Sequence, residues 1–178
     1  SVSQIALKLG CSEHRVNYWI GKHYIKKRTI SEAIYIRHNP MGDPFKFSPP
    51  RTLEEAKLLG LGLGLYWGEG TKANLNAIRL GNSDPALIKK FMEFLIQLFK
   101  IEKGDFRFGL QVFSDVDINE ALDFWTKKLK IKRKQIYKPV ITKSDSLGTY
   151  SKKSRYGVLT IIYCNTKLRN LLVKMLPM

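Results

Sequence analysis

Apolar residues recur at helical spacing through most of this chain and alternate in a few short runs. Ile5, Ala6 and Leu9 share one side of a first short segment, and Val16 and Trp19 share one side of the next. The opening residues therefore predict two helices, with Val16 and Trp19 pointing back to their common core. Gly10 falls where the turn between them needs left-handed backbone, and Ser12 stands where it caps the second helix. A longer helix is predicted from Leu53 to Trp67, with Thr52 as its cap and Glu54 and Glu55 in its first turn. A short extended segment follows over Leu75–Leu80. Asn82-Ser83-Asp84-Pro85 starts a helix that runs to about Phe99, with Leu87, Ile88, Phe91, Phe94, Leu95 and Leu98 on its apolar side. Phe106–Phe113 alternates like a strand, and Ile118–Leu129 is amphipathic at helical period. Gln135–Thr142 and Tyr156–Tyr163 read as strands joined by a polar loop, and Thr166–Met175 closes as a helix.

Turn-forming residues divide this pattern. Asn39-Pro40-Met41-Gly42-Asp43-Pro44 and Ser48-Pro49-Pro50 mark residues 39–52 as a linker between a small helical domain (1–38) and a larger α/β domain (53–178). The aromatic residues in the linker, Phe45 and Phe47, are expected to dock on one of the two.

Charge narrows the partner. The chain carries 31 Lys and Arg against 15 Asp and Glu, a formal net charge of +16. Self-repulsion at that level points to a polyanion, and to nucleic acid over a membrane surface. No apolar run approaches the roughly 18 residues of a membrane span, and no signal-peptide pattern opens the chain. Cys11 and Cys164 cannot build a zinc site alone, and His14, His23 and His38 lack finger spacing. Two reduced thiols fit a cytoplasmic, nucleoid-associated protein.

The first two helices form a helix-turn-helix pattern similar to the modules of merged-resolvase-type regulators. The exposed side of the second would carry Arg15 and Asn17, residue types that read guanine and adenine edges. Lys26, Lys27 and Arg28 just beyond would hold phosphates and position the module. The plainer alternative is an αα-hairpin with these side chains solvated.

Gly60-Leu61-Gly62-Leu63-Gly64-Leu65-Tyr66-Trp67-Gly68-Glu69-Gly70 is the most informative segment. Each interior helical glycine costs about 1 kcal/mol relative to alanine. Gly60, Gly64 and Gly68 share one side, which would let another backbone approach closely. A phosphate loop is excluded, because no Gly-Lys-Ser/Thr follows. Glu69 ends the helix, where the dipole disfavours a carboxylate and a divalent cation would reverse the sign. Spacing alone leaves Glu69 open between a metal ligand and a surface partner of Lys72.

Residues 62–70 resemble the LAGLIDADG motif, with Glu69 at its acidic position. Ile78-Arg79-Leu80-Gly81-Asn82-Ser83-Asp84 and the segment from Tyr156 to Met175 are similar to that family's second strand and its last strand and helix. The resemblance covers roughly residues 53–176. It implies an α/β (α+β) domain of αββαββα type, here with a helix inserted before the last strand and a small all-α helix-turn-helix domain in front. It implies a saddle-shaped sheet across double-stranded DNA, with Glu69 catalytic and binding Mg²⁺, or Mn²⁺ or Ca²⁺ in its place. One motif per chain implies a homodimer through Gly60, Gly64 and Gly68. Two departures stand out: the hairpin between Gly70 and Asn82 is short, and the lysine often found near the end of the last strand is missing from Ile161-Ile162-Tyr163-Cys164-Asn165.

Lys72, Asn74, Asn76, Arg79 and Arg107 are the expected contacts on the sheet, since strands display alternate residues on one face. Eleven basic residues and one acidic residue lie between Thr126 and Arg155. Lys138, Lys143, Lys152, Lys153 and Arg155 in this stretch are expected to contact phosphates. Three readings follow: a metal-dependent homodimeric endonuclease, a non-catalytic DNA-binding regulator on the same scaffold, and an RNA maturase. The last lacks an evident aromatic stacking motif.

Overall fold

Local hydrogen bonds start most of the elements in the computed structural model, which describes residues 1–143 and 155–177. The chain divides into two units, Ser1–Pro44 and Phe45–Met178. In the first, Ser1 caps α1 (Val2–Leu9) and Gly10 closes it at φ 59°. Ser12 caps α2 (Glu13–Lys22) by accepting from the Arg15 amide. Only Ala6 of α1 and Val16 of α2 are fully buried. Trp19, expected in the core, is 43% exposed. It lines an apolar groove of about 510 Å³ with Ile5, Leu9, Val16, Ile20 and Ile25, because the two helices alone cannot enclose an indole.

A third helix, α3 (Ile30–His38), was not predicted by the apolar pattern. Ile30 and Ile34 share one side but Ile36 lies away from it, and none of its residues is buried. Its signal is the capping box, in which Thr29 accepts from the Glu32 amide and Glu32 accepts from the Thr29 amide. The Thr29 amide and then its hydroxyl, both donating to Glu32 Oε2, hold the Glu32 carboxyl below its usual range, with Lys26 and Arg28 adding to the effect.

The second unit begins earlier than the predicted linker boundary. Lys46 and Ser48 donate backbone hydrogen bonds to Phe99 and Leu98, and Phe47 stacks on Phe99 at 5.1 Å. Backbone pairing and ring burial thus attach residues 45–48 to the α/β unit. Its elements follow in the order α4 (Leu53–Glu69), β1 (Ile78–Asn82), α5 (Pro85–Phe99), β2 (Arg107–Phe113), α6 (Ile118–Leu129), β3 (Val140–Thr142), β4 (Val158–Tyr163) and α7 (Thr166–Lys174). Caps fix most helix starts: Thr52, Asp84, Asp117 and Asn165 each accept a hydrogen bond from a first-turn amide.

The sheet order is β1-β4-β2-β3. β4 runs antiparallel to both neighbours, and β3 lies parallel to β2. β2 therefore lies between the two strands that the sequence reads as consecutive and joined by a polar loop. β3 is also shorter than the predicted Gln135–Thr142. Arg133–Gln135 form a 3-10 turn, and Ile136 bridges Phe108 alone. Ladder pairing resumes at Val140 with Gln111, one residue out of the first register. Pro139, which has no N–H to donate, lies inside that bulge.

One sheet face builds the core. Ile78, Leu80, Phe108, Leu110, Val112, Leu159 and Ile161 alternate inward and are buried against α5, which itself buries seven residues. α4, α6 and α7 complete this helical layer through Tyr66, Trp125, Leu168 and Leu172, all fully buried. At roughly 25 cal/mol per Å², each such side chain contributes about 1.5–3 kcal/mol.

Candidate nucleic-acid interface

The opposite sheet face mixes exposed polar side chains with small and apolar ones. In register across β1, β4 and β2, one row reads Arg79, Ile162, Arg107 and the next reads Gly81, Thr160, Gly109. A third row pairs Val158 with Gln111. Arg79, Arg107 and Gln111 are exposed. Arg79 and Arg107 thus stand on either side of the buried Ile162, next to a row of small residues, their Cα atoms about 10 Å apart given the usual strand spacing. Arg107 is held in place, donating through Nη1 to the carbonyls of Gly104 (2.8 Å) and Phe106 (3.0 Å). Gln111 and Thr160 were missed in the sequence, although the alternation that selects Arg107 also selects Gln111.

The other three predicted sheet residues are not on the sheet. The extended strand begins only at Ile78, and Gly70 pairs with Leu80 through a single bridge. Lys72 donates through Nζ to the Trp67 carbonyl at the end of α4. Asn74 accepts through Oδ1 from the amides of Asn76 (3.0 Å) and Ala77 (2.9 Å), which closes a turn. Local hydrogen bonding therefore commits Lys72 and Asn74 to shaping the α4–β1 connection, while Asn76 stays exposed.

That connection is pinned from beneath. Arg169 of α7, 9% exposed, donates to the Lys72 carbonyl and to Asn170 Oδ1 (3.1 Å). The Tyr66 hydroxyl and Arg169 Nε are buried without a hydrogen-bond partner among the described residues. Burial pushes the Tyr66 phenol above its ordinary value, and the Arg169 charge beside it pulls the other way. The folded state thus favours the neutral phenol. Its contribution is complete below the unfolded value of about 10 and is lost as pH rises through the higher folded value. Urea unfolding at pH 8 and pH 11 is expected to show a larger loss for wild type than for Tyr66→Phe. Equal losses would show that the phenol does not titrate against folding.

Glu69 is exposed at the end of α4, and no ion pair reaches it among the described residues. The predicted surface pair with Lys72 is replaced by the bond from Lys72 to the helix end, because that carbonyl carries the negative end of the dipole. Among the described residues no group of three or more His, Cys, Asp or Glu side chains could hold a metal ion.

The glycines of α4 fall into two classes. A Cβ on Gly62 would lie 2.2–2.6 Å from the ring of Phe94, so Gly62 is what allows α4 and α5 to touch. A Cβ on Gly60, Gly64 or Gly68 would meet nothing within 4 Å. Those three are exposed beside Leu61 and Trp67, which are 46% and 50% exposed.

No family model, curated protein or solved structure matches this chain.

In the first unit, Arg15 is exposed on the rim of the apolar groove. Asn17 is exposed too, and its Oδ1 accepts from Lys27 Nζ at 2.8 Å. A base-reading candidate and a phosphate candidate are thus joined, and reading a base through Asn17 Oδ1 requires that bond to open. Lys26 and Arg28 are exposed beside them. Of the later basic residues, Lys138 and Lys143 are exposed, and Lys152 and Lys153 lie outside the described residues. Arg155 is already engaged by Glu120 (3.2 Å) and lies over the Tyr156 ring. No helix of the described residues is long and apolar enough to cross a membrane.

Proposed function

We propose that this protein binds specific sites in double-stranded DNA as a two-fold dimer and cleaves them with divalent metal, as a LAGLIDADG-type endonuclease. The observation that carries this reading is the open glycine face of α4, which leads to an exposed Glu69. Gly62 explains one glycine by packing within the chain, and the three on the other side are left without a use inside one chain. Close approach of a second α4 gives them one and brings two Glu69 carboxylates together.

The order of elements supports the same architecture. α4, the bridge at Gly70, β1, α5, β2, β4 and α7 follow an αββαββα plan. α6 and the parallel edge strand β3 then form a single insertion between the last two strands. Arg79, Arg107 and Gln111 on the outer sheet face would meet the duplex, and α2 would read bases through Arg15. The paired carboxylates would hold Mg²⁺, or Mn²⁺ or Ca²⁺ in its place. Such an ion, when bound, supplies charge stabilisation at the scissile phosphate.

One observation favours a regulator that binds without cutting. Lys72 already places a positive charge at the end of α4, so Glu69 is less in need of a cation than its position alone suggests. The two readings separate in one experiment: selection from a randomised duplex pool with Mg²⁺, Mn²⁺ or EDTA, for wild type and Glu69→Gln. Metal-dependent products from wild type, abolished in the variant with binding kept, are expected. Retained duplex without products would leave the regulator, and cleavage by Glu69→Gln would remove Glu69 from the chemistry. Arg15→Ala is expected to weaken specific binding by about 1–3 kcal/mol, read by competition against unrelated duplex.

A further inference from the structure

A strip of positive charge leaves the outer sheet face and turns around its edge. It starts at Arg107, whose Nη1 bonds to the Gly104 carbonyl in the 3-10 turn Lys103–Asp105. Gln135 fastens that turn to the second one, Arg133–Gln135, by donating to the carbonyls of Lys103 (2.9 Å) and Phe106 (3.2 Å). Lys132 and Lys134 are exposed there. Lys103 reaches into the helical layer, its Nζ donating to the Leu129 carbonyl at the end of α6 (2.8 Å). Lys130 is the residue that ends α6, next to that carbonyl in sequence, and Lys89 belongs to α5. Partial burial holds the Lys103 ammonium below its usual value, and the charges of Lys130 and Lys89 lower it further.

The plain alternative is a lysine-rich edge that blocks sheet-to-sheet pairing. That role requires scattered charge on an edge strand. Here the lysines come from separate elements that hydrogen bonds tie together, Lys103 to the end of α6 and Gln135 to the turn that holds Lys103, and the charges of Lys130 and Lys89 act on Lys103. Glu102 and Asp105 flank Lys103 in sequence, yet no ion pair among the described residues joins them to any of these lysines. Lysines without an ion pair among the described residues, on turns bonded to a guanidinium of the outer face, fit a regularly charged polyanion that turns the corner.

We propose that the corner formed by Lys89, Lys103, Lys130, Lys132 and Lys134 is a second phosphate-binding surface, which engages the backbone of duplex DNA extending past the sheet and draws it around the edge. This rests on the DNA-binding reading above and adds a surface that the sheet and α2 do not include. Contacts of this kind carry no sequence information and add affinity through counterion release.

The test is a series of duplexes of increasing length around one bound site, titrated at several salt concentrations with the full chain. Wild type is compared with Lys89→Gln/Lys132→Gln/Lys134→Gln, which spares Lys103 and its bond to α6. On the shortest duplexes the two proteins are expected to share one slope of log affinity against log salt. On longer ones the wild-type slope is expected to steepen, and the variant is expected to fall short of it by about 2–3, the equivalent of three phosphates. An unchanged melting temperature of the variant would show that its fold is intact. Equal slopes at every length, with tight binding by wild type, would overturn the corner and leave the function standing. No duplex affinity in wild type would overturn the DNA-binding reading and the corner with it.

Discussion

Alanine in place of Trp125 is expected to destabilise the α/β unit by about 3–5 kcal/mol. The indole is fully buried on the inner side of α6, among the largest side chains of the core. Its Nε1 donates to the Tyr156 carbonyl at 2.8 Å, and the adjacent Phe124 stacks on the Tyr156 ring at 3.9 Å. Trp125 therefore ties the inserted helix to the residues that lead into β4. Truncation would leave a cavity too large to collapse and a buried carbonyl without its donor. Trp125→Phe keeps most of the volume and loses the hydrogen bond, so a smaller loss of about 1–3 kcal/mol is expected. Urea unfolding followed by circular dichroism separates the three proteins. A loss below about 1 kcal/mol for the alanine variant would mean that α6 is not part of the cooperative core.

The firmness of α6 was legible in the sequence. Its bounds, Ile118–Leu129, match the predicted ones because a clear apolar stripe coincides with a strong cap at Asp117. α5 was legible for the same reasons. α3 was not, since its one apolar side is short, with Ile36 lying away from Ile30 and Ile34, and only the Thr29–Glu32 box marks its start. Sheet order was hidden as well: alternation gives a strand its faces and says nothing about its neighbours, so β2 between β3 and β4 could not be foreseen. The site divides along the same line. The position of Glu69 at a helix end and the four-residue spacing of Gly60, Gly64 and Gly68 are one-dimensional facts. The bond from Lys72 to Trp67, the turn closed by Asn74 and the burial of Arg169 depend on where the chain returns. An arginine beside Leu168 on an amphipathic helix gives no sign that it will be enclosed.

Two alanine substitutions two residues apart in α4 are expected to act with opposite sign. At Gly62 the new methyl would fall against the Phe94 ring, which is fully buried and cannot withdraw. Overpacking of this kind costs about 1–3 kcal/mol, and a contact this short belongs at the upper end. The helix propensity of alanine returns about 1 kcal/mol, leaving a net loss of about 2. At Gly64 the methyl meets open space, so the isolated chain is expected to gain about 1 kcal/mol. In a dimer built on this face the same methyl would push two backbones apart. Gly64→Ala should therefore raise the stability of the monomer while lowering the affinity of the dimer, and chemical unfolding together with sedimentation over a range of concentrations reads both. If Gly64→Ala proves stabilising at every concentration and the association state is unchanged, this face is not the interface. Two Glu69 carboxylates would then have no route to one phosphate, and the cleavage reading would fall. The outer face of the sheet and α2 would remain as proposed DNA-binding surfaces, because neither depends on the glycines.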